Sequence, residues 1–236
     1  MEKNQAPQSL DVNATINKTE AFVNKNKKTI IIALVALVVL VVAGFGYNAW
    51  IEKREAKAQA QITLGLQYFA QDTEEGYTKA LNGEGQFQGY LKIAKQYSMT
   101  DGANLAHAYA GECYAHLGKY KEAIKELESF SAQGDVIVSP AIIGCLADCY
   151  ASDGQLDKAV DTYKKAASKA DNEALSPVFL MSAAQILESQ NKSEDALKLY
   201  EQIKSDYPTA SVCMPQNQGA GFSGAEIDKY IERATK

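Results

Sequence analysis

The sequence predicts an all-α protein: one N-terminal membrane-spanning helix, a solenoid of paired helices, and a C-terminal capping helix. Three observations carry that prediction. An uncharged apolar run extends from Ile30 to Tyr47, small, bulky and turn residues recur every 36 to 37 positions after it, and a short amphipathic segment closes the chain. The averages conceal this pattern. With 46% hydrophobic residues, a net charge of -5 and a mean hydropathy of -0.26, the 236-residue chain has the profile of an ordinary soluble protein. Yet 18 of the 21 residues from Ile30 to Trp50 are hydrophobic.

At 1.5 Å of rise per residue those 21 positions span about 31 Å, enough for a hydrocarbon core of roughly 30 Å. Tyr47 and Trp50 lie at the downstream end, where amphipathic rings favour the headgroup region, and Lys27, Lys28, Lys53 and Arg54 bracket the run as membrane-interface residues. A cleaved secretory signal is the competing reading, but its apolar core is shorter and lies nearer the first residue. Here 29 residues precede the run, and the small-x-small triplet Ala58-Gln59-Ala60 comes only after five charged residues. A single-pass signal anchor over residues 29–50 is therefore expected. Four lysines before it (Lys18, Lys25, Lys27, Lys28) against three basic residues after it (Lys53, Arg54, Lys57) favour a cytoplasmic N-terminus by one charge. Residues 1–28 are polar and read as a disordered cytoplasmic tail.

Five lysines against Glu2, Asp11 and Glu20 leave residues 1–29 at +2, so residues 51–236 carry -7. An acidic domain repels phosphate backbones, which excludes nucleic acid as a partner. Its length supports a core that folds without disulfide staples.

The period of 36 to 37 residues is close to the 34-residue tetratricopeptide unit with a longer connection. Gly111, Ala147 and Ala184 are small where two antiparallel helices must approach, and Tyr114, Tyr150 and Leu187 supply bulk three residues later. Gly118, Gly154 and Asn191 mark the turn, as residues that tolerate the left-handed conformation ending a helix. Ala123, Ala159 and Ala196, each followed by an aliphatic residue (Ile124, Val160, Leu197), with Leu127, Tyr163 and Tyr200 four positions after each alanine, place an apolar stripe on the second helix. Pro140 and Pro177 open first helices, where a missing N–H costs nothing. Three repeats over 101–210 are expected. A stalk helix and a degenerate first repeat over 51–100 precede them, with Leu64, Gly65 and Tyr68 in one half and Gly89, Tyr90 and Ile93 in the other. The insertion from Asp72 to Gln86 holds Gly83-Glu84-Gly85, read as a turn because no apolar strand precedes it. Residues 211–222 form a loop without periodicity. Residues 223–236 form the capping helix, with Ser223 and Glu226 at capping-box spacing and Ile227, Tyr230, Ile231 and Ala234 on one face.

No catalytic, cofactor or metal constellation emerges, so an enzyme is not expected, nor a small-molecule substrate. His107 and His116 lack partners at metal-ligand spacing. Cys113, Cys145 and Cys149 read as small buried residues, and Cys213 as the one candidate exposed thiol. A repeat solenoid offers instead a groove lined by first helices, on which a peptide can lie. The register assigns to it Leu105, Ala108, Glu112, Ala115 and His116, then Ala141, Gly144, Asp148, Ala151 and Ser152, then Val178, Met181, Gln185, Glu188 and Ser189. Glu112, Asp148 and Glu188 make this surface acidic, which suits a basic or apolar segment. Apart from Gln185 and His116, it lacks the basic and amide side chains that would clamp a peptide carboxylate.

The combination of tail, span and repeats resembles the YfgM-like family, an ancillary subunit of the bacterial Sec translocon, and is similar to Bacteroidetes repeat proteins of the same architecture. Leu64-Gly-Leu-Gln-Tyr, Gly89-Tyr-Leu-Lys-Ile-Ala, Ala106-His-Ala-Tyr-Ala-Gly-Glu-Cys-Tyr and Gly118-Lys-Tyr-Lys-Glu-Ala-Ile carry the resemblance, over residues 25–210. It implies an inner-membrane protein with a cytoplasmic N-terminus and a periplasmic repeat domain. The implied partners are the translocon and the periplasmic chaperones that receive exported chains, and no catalytic residues are implied. A scaffold for another envelope complex, working through outer helix faces and the loop at 211–222, is the alternative function. A receptor on an outer organellar membrane has the same ground plan.

Overall fold

The structure, a computed structural model, describes the backbone of residues 12–218 and 221–236 and the side chains of residues 20–215 and 225–236. The chain divides into two units between Lys53 and Arg54.

In the first unit, helix α1 (Val12–Phe69) begins well inside the segment read as a disordered tail. Residues 12–28 are helical, while residues 1–11 lie outside the described residues. No glycine or proline occurs from Val12 to Ala43. Extending a helix that the apolar run has already nucleated adds one hydrogen bond per residue fixed, with no second nucleation step. The helix is long and apolar enough to cross a membrane by length and composition. Its apolar side chains are uncovered, Leu40 at 70% and Phe45 at 73% exposure. Tyr47 and Trp50 pair at 6.0 Å between ring centroids.

The second unit opens with the last residues of α1, from Arg54 to Phe69, followed by α2 (Glu74–Asn82), α3 (Tyr90–Gln96) and three antiparallel hairpins. These are α4 (Asp101–His116) with α5 (Tyr120–Glu128), α6 (Val138–Ser152) with α7 (Leu156–Ala170), and α8 (Ser176–Ser189) with α9 (Ser193–Asp206). Each hairpin turns on the expected residue, with left-handed φ of 69° at Gly118, 78° at Gly154 and 61° at Asn191. Ala123, Ala159 and Ala196 are fully buried, and Leu127, Tyr163 and Tyr200 pack below them into the core that joins the hairpins. The small-residue column is a steric requirement: a Cβ on Gly111 would lie 2.4 Å from Leu127 Cγ.

Within the insertion after α1, Gly83 to Phe87 make the expected turn, closed by a bridge between Glu84 and Phe87. The sequence reading missed α2 before it. Thr73 caps this helix through its side-chain oxygen, which accepts from Gly76 N at 3.0 Å, and Tyr77, Ala80 and Leu81 bury its inner face. A second cluster forms here, in which Tyr77, Phe87, Tyr90 and Ile93 pack with Ala58 and Ile62 of α1.

Past α9, the segment read as a loop contains a 3-10 turn (Ser211–Cys213) and an antiparallel pair, β1 (Pro215–Gln218) with β2 (Gly221–Ala225). The capping helix α10 runs from Glu226 to Ala234. Ser223 belongs to β2, and the N-cap is Ala225, so no capping box forms. Ile227 and Ala234 are buried in the hairpin core as the amphipathic pattern requires, with Tyr230 and Ile231 packed beside them.

Candidate protein-binding groove

The faces of α4, α6 and α8 hold the groove positions, and the connections before two of these helices fix their starts. Asp135 Oδ1 accepts from Ile137 N at 3.0 Å and Ser139 N at 2.9 Å, and Ser139 donates its hydroxyl to Asp135 Oδ2 at 2.5 Å. One repeat later, Asn172 Oδ1 accepts from Ala174 N and Leu175 N, and the Ser176 hydroxyl donates to Ala167 O at 2.8 Å. Both serines are fully buried. The signature is visible in the sequence as Asp135 or Asn172, then three residues, then Ser-Pro.

Of the predicted groove residues, His116, Ala141, Asp148, Ser152, Val178, Gln185 and Ser189 are exposed, and Leu105, Glu112, Ala115, Ala151, Met181 and Glu188 are half-buried. Ala108 and Gly144 are corrections. Ala108 is 1% exposed, and a Cβ on Gly144 would meet the Phe179 ring at 2.4 Å, because the next hairpin packs over that position.

The three acids have separate environments. Asp148 accepts from the Tyr163 hydroxyl across its own hairpin. Glu188 is held by Arg233 of α10 at 3.0 and 2.5 Å and accepts from Tyr200 at 2.9 Å, which holds its carboxyl below the usual glutamate range. It therefore locks the cap to the last hairpin and is spent as a recognition group. Burial raises the pKa of Glu112. The hydrogen bond of Cys145 to Cys149, its burial and the nearby charges of Glu112 and Asp148 all push its thiol up, away from reactivity.

Aromatic rings that the sequence reading did not assign wall the first end of this face. His116 stacks on Tyr77 at 4.5 Å, with Phe69 edge-on to both at 6.3 and 5.7 Å, and Tyr109 packs against Phe69 at 5.3 Å. Tyr77 donates to Asp72 at 2.5 Å, and burial first and that bond second push its pKa to about 12. Tyr77, Ala80 and Leu81 have i, i+3, i+4 spacing behind a threonine cap, the signal from which α2 was legible.

Models of the tetratricopeptide repeat match residues 145–175 and 179–210. These two segments carry tetratricopeptide repeats. The matched segments run from within α6 past the end of α7 and from within α8 past the end of α9, and α4–α5 repeats their turn and their buried alanine. Comparison with curated proteins and with solved structures returns no match.

The remaining predicted residues fall as follows. His107 binds Glu126 through Nδ1 at 2.8 Å. Cys113 and Cys149 are buried, and all four cysteines are free thiols. Cys213, expected to be exposed, is half-buried against the core, with its Sγ 3.8 Å from Ile203 O, and burial raises its pKa. Lys27, Lys28 and Lys53 are exposed, and Tyr47 and Trp50 are each 49% exposed. Arg54, expected at the interface, donates to Gln96 O at 2.5 Å and lies over the Tyr97 ring at 5.7 Å, so it belongs to the repeat unit.

Glu112 gives a pH test. Its native pKa is raised, so the native state binds its proton more tightly than the unfolded chain does, and this residue's contribution to stability falls as pH rises above the ordinary value of 4.5. Glu112→Gln is therefore expected to melt at a higher temperature than the wild type at pH 7, with the gap closing near pH 3. Thermal melts at both values check this, and a gap independent of pH would contradict it.

Proposed function

We propose that the protein is a membrane-anchored adaptor that binds protein partners and performs no chemistry of its own. Ile30 to Trp50 cross a bilayer once, and the face of α4, α6 and α8 receives a basic or apolar segment of a partner. One observation carries the reading: exposed Asp148, Ser152 and Gln185 share that face with half-buried Glu112 on successive tetratricopeptide hairpins, and this negative face has no strong cation among its groove positions. Charge complementarity there favours encounter with a basic segment, while the half-buried Leu105 and Met181 supply apolar contact. Anchoring confines the face to the membrane surface and raises its effective concentration toward membrane-bound partners.

The resemblance to YfgM-like proteins extends the reading to the bacterial inner membrane, with the repeats in the periplasm. There the partners are the Sec translocon, exported chains and periplasmic chaperones. Photo-crosslinking residues at Ser152 and Gln185, compared with one at Lys165 on the outer helix α7, test the proposal in cells. Capture of the same partner from both groove positions and its loss at Lys165 are expected. Capture from Lys165 alone would overturn the groove and favour a scaffold working through the outer faces.

A further inference from the structure

Among the described residues of the second unit, eight large apolar side chains are exposed. Leu64 and Leu66 on α1 are the least so, at 37% and 40%. The other six, Met99, Val136, Ile137, Val138, Val178 and Met214, are 51% to 73% exposed, and every one lies in or just after a segment that leaves a hairpin's second helix or its counterpart α3. The turns inside the hairpins contribute none: Gly118-Lys119, Gly154-Gln155 and Asn191-Lys192 occupy them.

Contacts join these segments into one edge. Asn104 and Ser131 exchange hydrogen bonds at 2.8 and 2.7 Å, and with Met99 and Gln133 they line one depression. Asn172 donates to Val136 O at 3.1 Å, and Asp171 after α7 and Tyr207 after α9 line one depression. Polar atoms in the central segment turn inward, where Asp135 and Ser139 satisfy each other and the backbone. Val136, Ile137 and Val138 are left pointing out in a fixed conformation. Soluble surfaces scatter exposed apolar residues singly, whereas a contiguous set marks a contact.

The same edge holds the start of the unit. Glu55 accepts from Gly102 N at 3.1 and 3.2 Å, and Arg54 reaches Gln96 O. Arg54 follows Trp50, the last residue of the apolar run, by four positions in the sequence.

We propose that this edge is a lipid-contact surface: Met99, Val136, Ile137, Val138, Val178 and Met214 enter the bilayer interface. This rests on the anchor reading above. The nearby acids Asp101, Asp135 and Glu173 give anionic headgroups nothing to bind, so contact is apolar and independent of salt.

Trp50 is the only tryptophan, so the full chain in phosphatidylcholine vesicles with brominated acyl chains reports on the anchor directly. In a Trp50→Phe background, Ile137→Trp and, separately, Met99→Trp place the probe on the edge, and Lys119→Trp places it in a hairpin turn. Roughly twofold quenching is expected at 137 and at 99, as for side chains at the headgroup and acyl boundary, with none at 119. Val136→Ser, Ile137→Ser and Val138→Ser together are expected to reduce quenching at Met99→Trp, which excludes an affinity created by the probe. Quenching of Trp50 with none at 137 or 99 would overturn the lipid contact and leave the edge to a protein partner. No quenching even at Trp50 would overturn the anchor reading instead.

Discussion

Replacing Val38, Val39 and Leu40 together by lysine is expected to release the protein from membranes. Each exchange at the centre of a span costs roughly 3 kcal/mol, about 9 kcal/mol for the three, which exceeds what interfacial contact alone returns. These side chains are 60%, 60% and 70% exposed and support no packing within the described residues, so folding of the repeats is expected to survive. Carbonate washing of membranes measures the outcome. Wild type stays in the pellet and the variant moves to the supernatant; a variant that stays in the pellet would show that retention comes from elsewhere in the chain.

Tyr200→Ala is expected to cost about 3–5 kcal/mol, the loss typical of a large buried ring. Tyr200 is fully buried, its ring lies 5.3 Å from Tyr230 of α10, and its hydroxyl donates to Glu188, which Arg233 also holds. Packing and hydrogen bonding separate in Tyr200→Phe, which keeps the ring and is expected to cost about 1 kcal/mol. Chemical denaturation in detergent measures both. Equal losses in the two variants would place the stability in the polar network rather than in the packed ring.

Much of this architecture was legible because repeats state their requirements several times. A turn that needs positive φ shows Gly118, Gly154 and Asn191 in one column, and a helix crossing that excludes bulk shows Ala123, Ala159 and Ala196 in another. Features that occur once had no such redundancy. Helix α2 lies outside the period, so Tyr77, and with it the aromatic wall beside Glu112, went unassigned. Residues 12–28 are polar, and composition alone did not reveal that the neighbouring apolar run extends a helix through them.

The groove was legible in outline and wrong in particulars, because register predicts which way a residue points along one helix and not what the next hairpin lays over it. Phe179 covers Gly144 in this way. The pairing of Glu188 with Arg233, 45 positions away, depends on where the cap docks, and a helical period says nothing about a contact across that separation. Half-burial of Cys213 follows from the same cause, since its turn folds back on Ile203 of α9.

Whether the face of α4, α6 and α8 is where partners bind is tested most directly by combining the crosslinker at Gln185 with charge reversal of the neighbouring acids. In cells carrying Glu112→Lys and Asp148→Lys, capture of the partner from Gln185 is expected to fall at least several-fold, while membrane retention stays unchanged. Undiminished capture by the doubly reversed chain would contradict a binding face selected by its negative charge.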